Sequence, residues 1–302
     1  MKQTPREEGI AVGNQPERFV DLHVHTSYSD GTFAPAQVVS RASDIGLSAV
    51  GITDHDTTDG VAAAVSAGAK LGVEVVPGVE LSAELRDSSE EEIHILGYFI
   101  DWEQPALQQR LKVFREARAD RARRIFQQLA DLGIRLREEA FFGDGRRGVI
   151  GRLHFAKEML AEKYVPDIKS AFNLYLSLGR PAYVPKFKLD PRDGIGLIRG
   201  AGGVAVLAHP FVSISSDARI IRRLVNDGLQ GIEVYHTKHN RHITEELLAI
   251  ADKYELAVTG GSDCHGELIS GTPLLGCLQV PYHVLEQLKA CRRCAVTGVR
   301  RR

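Results

Sequence analysis

The sequence predicts an α/β fold, a (β/α) barrel of about seven strands interrupted by a mostly helical insertion. Three observations carry that expectation. Short apolar runs alternate with alanine- and valine-rich helical stretches along residues 19–100 and again along 203–260. Between those halves the alternation stops, and apolar residues recur at steps of three and four instead. The polar residues that could do chemistry collect where the apolar runs end, which in a barrel is the carboxyl end of the strands.

In chain order, residues 1–18 are mostly polar, with acids and prolines, and read as a loose leader. The first part of the barrel spans 19–101. A strand over 19–25 precedes a helix over 35–45, which opens on Pro35, where a first turn tolerates proline, and closes at Gly46. A strand at 47–53, a helix at 61–71 ended by Gly72, and strands at 73–79 and 93–100 follow. After Pro105, the residues Leu107, Leu111, Phe114, Ile125, Leu129 and Leu132 define one long amphipathic helix stopping at Gly133. Arg115, Arg118, Arg121, Arg123 and Arg124 form its charged side, which reads first as a solvated face. Helical pieces continue through Leu178, so the insertion is bounded as 102–195. The barrel resumes over 196–290, with strands at 203–208, 231–235 and 256–260 and helices at 220–227 and 244–254. A basic tail, 291–302, ends in Arg300, Arg301 and Arg302.

A chain of 302 residues can bury one large barrel, and its formal net charge of −1 leaves any polyanion to be bound by local patches. No apolar run approaches bilayer length, no signal core precedes residue 18, and a cytoplasmic location without membrane contact is expected. Cys264, Cys277, Cys291 and Cys294 do not make a disulfide framework in a chain this long. Cys291 and Cys294 form a C-x-x-C, yet no second pair accompanies it to complete a zinc site.

His23 and His25, two apart on a strand, point to one face and suit a metal ion. Asp30, beyond a Thr/Ser loop, can fold back toward them. The second strand ends in Asp54, His55 and Asp56, the third in Glu80, and later ones in His209, in Glu233 with His236, and in Asp263, Cys264 and His265. Singly, a loop aspartate usually caps a helix and a histidine before proline often just packs. Five strands sharing the habit point to one site. His94 opens its strand instead of closing it, so either that strand runs in the opposite sense or the histidine enters from a neighbouring edge. Nitrogen and carboxylate donors suit Zn²⁺, Mn²⁺ or Fe²⁺, and their number exceeds the capacity of one ion. Two or three ions would activate water for attack on phosphorus, although amide hydrolysis uses similar ligands.

The ordered motifs H-V-H at 23–25, T-D-H-D at 53–56, P-G-V-E at 77–80, the isolated His94, A-H-P at 208–210 and S-D-C-H at 262–265 resemble the PHP (polymerase and histidinol phosphatase) family of phosphoesterases. More narrowly, G-R-L-H-F-A at 151–156 and G-R-P-A-Y-V-P-K at 179–186 resemble the bacterial subgroup of 5′-3′ exoribonucleases and nucleoside 3′,5′-bisphosphate phosphatases. The resemblance implies a distorted, TIM-like seven-stranded barrel holding three divalent metals, manganese first and zinc or iron as alternatives. It places one ion on His23, His25, Glu80 and Asp263, a second on Glu80, His94 and His209, and a third on Asp30, His55 and His265. Leu153 departs from the proline usual in the subgroup, and His236 from its usual residue.

A nucleotide or a short RNA 5′ end is the implied substrate, with no membrane and no obligate protein partner. Asp30, His55 and His236 are the expected catalytic residues, His236 as a candidate proton donor to the leaving oxygen. Arg152, His154, Arg180, Tyr183 and Lys186 are candidates to hold a second phosphate or stack on a base, against the alternative that they pin the insertion to the barrel. Rival readings are a small-metabolite phosphatase of the histidinol-phosphate type and a non-catalytic PHP scaffold that binds nucleic acid.

Overall fold

Four-residue runs such as Ala49–Ile52 and Val204–Leu207 are buried at every position, which is what a sheet covered on both faces requires. In the computed structural model, which describes residues 17–85, 92–143, 150–187, 189–210, 218–266 and 273–297, these runs are walls of a barrel. The strands are β1 (Phe19–Val24), β2 (Ala49–Ile52), β3 (Glu74–Glu84), β4 (Glu92–Tyr98), β5 (Val204–Leu207), β6 (Gly231–His236), β7 (Ala257–Gly261) and β8 (Val280–Pro281). They run in the order β7-β6-β5-β4-β3-β2-β1-β8. The seven expected strands are all present, and the eighth is a two-residue strand lying antiparallel against Phe19 and Val20. The barrel closes where β7 meets β1. His25 N–H donates to Cys264 O at 2.9 Å, and Cys264 N–H donates to His23 O at 3.3 Å. Gly261 makes that closure possible, because a Cβ there would stand 2.3 Å from the His23 nitrogen.

β4 is antiparallel to both β3 and β5, whereas β1, β2 and β3 are mutually parallel, as are β5, β6 and β7. The residue that begins β4 therefore lies at the same end as the residues that finish its neighbours.

The helices are α1 (Pro35–Asp44), α2 (Val61–Leu71), α3 (Pro105–Asp131), α4 (Glu139–Phe142), α5 (Arg152–Ala161), α6 (Ile168–Ala171, running into a π turn Phe172–Leu176), α7 (Pro191–Gly200), α8 (Ala218–Asn226), α9 (Arg241–Lys253) and α10 (Tyr282–Thr297). None among the described residues is long and apolar enough to cross a membrane. α3 is about 40 Å long at 1.5 Å per residue. It starts where Gln104 caps Leu107 N–H at 2.6 Å. Its first half, through Leu107, Leu111 and Phe114, packs into the barrel's core with Ile93, Ile95 and Leu207. Its second half, through Ala122, Ile125 and Leu129, packs into a separate core with Phe141, Phe155, Met159 and Val184.

Two expected boundaries fall inside helices. Residue 195 lies within α7, whose Ile195 and Ile198 belong to the barrel core. Residue 291 lies within α10, whose Leu285 and Leu288 pack under the barrel beside a half-buried Cys291. The side chain of Cys294, the leader residues 1–16 and Arg300 to Arg302 lie outside the described residues.

Candidate metal centre

Alternation along β1 sends His23 and His25 to one side, where both meet a single carboxylate. Glu80 Oε2 stands 3.3 Å from His23 Nε2, 3.1 Å from His25 Nε2 and 3.1 Å from His55 Nδ1. Its other oxygen, Oε1, stands 2.7 Å from His94 Nδ1 and 3.0 Å from His209 Nε2. Asp263 Oδ1 adds to the first group, 3.2 Å from His25 Nε2 and 3.5 Å from His23 Nε2. Asp30 forms the far side of the cluster, with Oδ1 3.2 Å from His265 Nε2 and Oδ2 3.9 Å from His55 Nε2. The structure thus brings together His23, His25, Asp30, His55, Glu80, His94, His209, Asp263 and His265. The reversed sense of β4 is what delivers His94.

The donors fall into three overlapping groups: His23, His25, Glu80 and Asp263; His25, Asp30, His55 and His265; and His55, Glu80 and His94. The first is the set implied by the resemblance. In the third, His55 stands with Glu80 and His94 where His209 was expected, although His209 still reaches Glu80 Oε1. In the second, His25 joins the expected three.

The loops are held to this shape by residues beneath the donors. Glu233 accepts from the His209 backbone N–H at 2.8 Å and lies 3.0 Å from His23 Nδ1, leaving Nε2 of that ring to face the cluster. Asp54 accepts from Thr26 N–H, Thr26 Oγ1 and Ser29 Oγ at 2.6 to 2.7 Å, and so fixes the 26–31 turn. Asp21 accepts from Ser262 N–H, Ser262 Oγ and Gly276 N–H at 2.6 to 2.9 Å under the Asp263 loop. Gly31 lets the turn close, since a Cβ there would lie 2.5 Å from His25 O. Asp56, His209 and Asp263 all have positive φ, at 52°, 26° and 55°. Three strained non-glycine residues around one site, each costing about 1–3 kcal/mol, mark backbone bent to aim side chains.

Burial and charge oppose each other here. Burial raises the Glu80, Asp30 and Asp263 carboxyls, but the surrounding imidazoles overcome it and hold all three well below the usual range. Burial pushes His55 down to about 3, so its ring is neutral. Burial would also lower His25, yet the Asp263 and Glu80 carboxylates beside it carry it up to about 10. Without an ion, protons on such rings balance the carboxylates.

Several donors make contact without bonding. Asp30 Oδ1, His55 Nδ1, Glu80 Oε2 and His236 Nε2 are buried and make no hydrogen bond among the described residues. Atoms bound to one divalent ion at about 2.0–2.2 Å stand about 3–3.5 Å apart, and the facing donor atoms here stand 2.7 to 3.9 Å apart. Imidazole and carboxylate donors suit such an ion, so the residues present fit divalent metals.

Of the other expected residues, His236 is buried beside the cluster. Its Nδ1 accepts from Lys238 N–H at 3.2 Å, and its Nε2 faces Asp263 Oδ2 at 3.5 Å. His239 occupies the following turn, bonded to Val234 O, and His242 is exposed on α9. Arg152 donates to Leu176 O at 3.2 Å and lies over the rings of Phe172 and Tyr183, both 5.7 Å away. His154 Nδ1 accepts from Gly151 N–H at 3.0 Å at the start of α5. Arg180 is exposed, and Lys186 lines a small cavity with Asp56, Ser82 and Arg118. Sequence reasoning missed Lys157, a half-buried ammonium on α5 that donates to Asp30 O at 3.5 Å. The signal was its spacing of three from His154, which puts both on one helical face.

The PHP-domain family model matches residues 21–172. The chain belongs to the PHP family. Among relatives of this PHP protein, a 3′,5′-nucleoside bisphosphate phosphatase of Chromobacterium violaceum is 36% identical, over 82% of this chain and 87% of its own length. A phosphoribosyl 1,2-cyclic phosphate 1,2-diphosphodiesterase of Eggerthella lenta is 33% identical, over 82% and 94%. A 5′-3′ exoribonuclease of Haemophilus influenzae is 30% identical, over 81% and 89%. A solved structure from Bifidobacterium adolescentis, assigned as a metal-dependent phosphoesterase, superposes with a TM-score of 0.81 at 30% identity, over 91% of this chain and 97% of that one. This PHP protein is accordingly a metal-dependent phosphoesterase, a hydrolase of phosphoric esters.

Proposed function

We propose that the protein hydrolyses phosphate esters of nucleotides, either nucleoside 3′,5′-bisphosphates or the 5′ end of short RNA, with three divalent ions, manganese first among them. The observation that carries this reading is Glu80, whose two oxygens face five imidazoles in overlapping donor groups. His23, His25, Glu80 and Asp263 would hold one ion, Asp30, His55 and His265 another, and Glu80 and His94, with His55 or His209, a third. When bound, such ions polarise a phosphoryl oxygen and lower the pKa of water.

The chain's own groups do the rest. Glu233 and Asp54 keep the donors oriented, so little reorganisation is needed when charge develops. Because His236 Nδ1 accepts from Lys238 N–H, its neutral tautomer carries the hydrogen on Nε2, facing the cluster, where it can donate a hydrogen bond to a substrate oxygen. Arg152 with Tyr183, and Lys157 above Asp30, present cation and ring to the rest of the substrate.

The Eggerthella relative favours a second reading, in which a small phosphorylated sugar is the substrate. The test is phosphate or nucleotide release from adenosine 3′,5′-bisphosphate, 5′-phosphorylated short RNA and a ribose phosphate ester, with Mn²⁺ and after chelation. Manganese-dependent release from either nucleotide substrate is expected. Turnover of the ribose ester alone would replace the first reading by the second.

A further inference from the structure

Arg118 leaves α3 at the point where that helix passes from one core to the other, between Phe114 and Ala122. Its Nε donates to Asp56 Oδ2 at 2.8 Å, a terminal nitrogen reaches the same oxygen, and Nη2 donates to Ser82 Oγ at 3.0 Å. Asp56 is bonded on every side. Its Oδ1 accepts from Ser82 N–H at 2.9 Å, and its own N–H donates to Glu80 O at 2.9 Å. Asp56 is buried and Arg118 mostly so, with side chains 5% and 11% exposed. Two further contacts join α3 to the same loop: Arg115 with Asp59 at 3.6 Å, and Gln108 Nε2 donating to Thr58 Oγ1 at 2.8 Å.

This clamp touches the backbone neighbours of one donor group. His55 directly precedes Asp56, Glu80 lies two residues before Ser82, and Ser82 pairs with His94 across β3 and β4. One guanidinium therefore spans the supports of His55, Glu80 and His94. We propose that Arg118 is a positioning residue for this group, so that docking of α3 and loading of an ion at His55, Glu80 and His94 form a single coupled equilibrium. The inference rests on the metal reading above.

The physical reason is the state left behind when Arg118 is removed. Asp56 becomes a buried carboxylate without its cation, and its left-handed backbone, at φ 52°, loses what holds it. Relaxation of that residue moves His55 away from Glu80. Linkage makes the effect reciprocal, so an ion that needs His55 in place must also tighten α3 against the barrel.

The test compares the full chain with Arg118→Met, Arg118→Lys and Asp56→Asn. Metal-free proteins are titrated with Mn²⁺ by calorimetry, kcat and KM are separated on the best substrate, and hydrogen exchange of the α3 amides is followed with and without Mn²⁺. Arg118→Met and Asp56→Asn are each expected to weaken one class of Mn²⁺ site by about 10- to 100-fold, the range for partners that orient ligands. Arg118→Lys is expected to recover part of the loss, and kcat to fall more than KM changes. Mn²⁺ should slow exchange in α3 of the parent protein and do so less in Arg118→Met. Should Arg118→Met fail to fold, Asp56→Asn and Arg118→Lys carry the comparison. Parental Mn²⁺ affinity in the folded variants overturns the inference and leaves the metal reading standing. Absence of Mn²⁺ binding by the parent protein overturns both.

Discussion

The carboxyl end of the barrel and the helical insertion carry their charges in opposite ways. At the barrel end, Glu80, His23, His25 and Glu233 are buried, and they face one another at 3.0 to 3.3 Å. On the insertion, the pairs Lys112 with Glu116 and Arg123 with Asp120 stand largely in solvent. Exposed pairs of that kind contribute about 0–1 kcal/mol each, so the insertion owes its order to apolar packing, such as Phe141 stacked on Phe155 at 4.3 Å. The barrel end works the other way. Its charges cost stability unless something balances them, and that cost is accepted for the sake of binding an ion. One region is stabilised by its own residues, and the other is completed by what it binds.

Substitutions on either side of this contrast should give different signatures. The largest effect is expected for Glu80→Gln, which removes charge from two of the three donor groups. Turnover should drop on the order of 10³-fold, with Mn²⁺ content falling and the far-ultraviolet circular dichroism unchanged. Retained metal in that variant would show that the buried charges serve folding. Next comes Phe155→Ala, which opens a cavity in the insertion's core and should cost about 3–5 kcal/mol, read as a lower denaturant midpoint for the insertion. Mn²⁺ bound by the native protein should remain at parental stoichiometry, and its loss would mean that the two regions cannot be separated. The smallest effect is expected for Glu233→Gln, which touches no ion but supports His23 and His209 from beneath. A decline in Mn²⁺ affinity of about 10- to 100-fold is expected, and a decline as deep as that of Glu80→Gln would place Glu233 among the ligands.

The same contrast explains what could be read from the residues alone. The barrel strands and their terminal donors are legible because alternation, strand length and polar ends are local properties of a few residues. His94 and its strand were both visible, but the strand's direction was not, since apolar alternation has no direction and only pairing with β3 and β5 reveals the reversed sense. β8 offers two residues, too few for any pattern, and α10 lay hidden beneath the arginines that mark the tail as basic. The arginines of α3 look alike in sequence, yet Arg121 is buried against Val184 O and Arg118 half-buried against Asp56, whereas Arg123 pairs on the surface. That distinction depends on partners about 60 positions away, which no local spacing encodes.

The seam between β7 and β1 has a consequence for how the molecule is made. His23 and Asp263 belong to one donor group although nearly the whole barrel separates them in sequence, and the hydrogen bonds of Cys264 to His23 and His25 bring them together. Contacts this distant form late in folding, because the loop they close is long. A chain emerging from the ribosome would hold most of its histidines well before it held a place for an ion to rest. Divalent ions would then act as a selector of finished molecules, adding stability only to chains whose last strand has found the first.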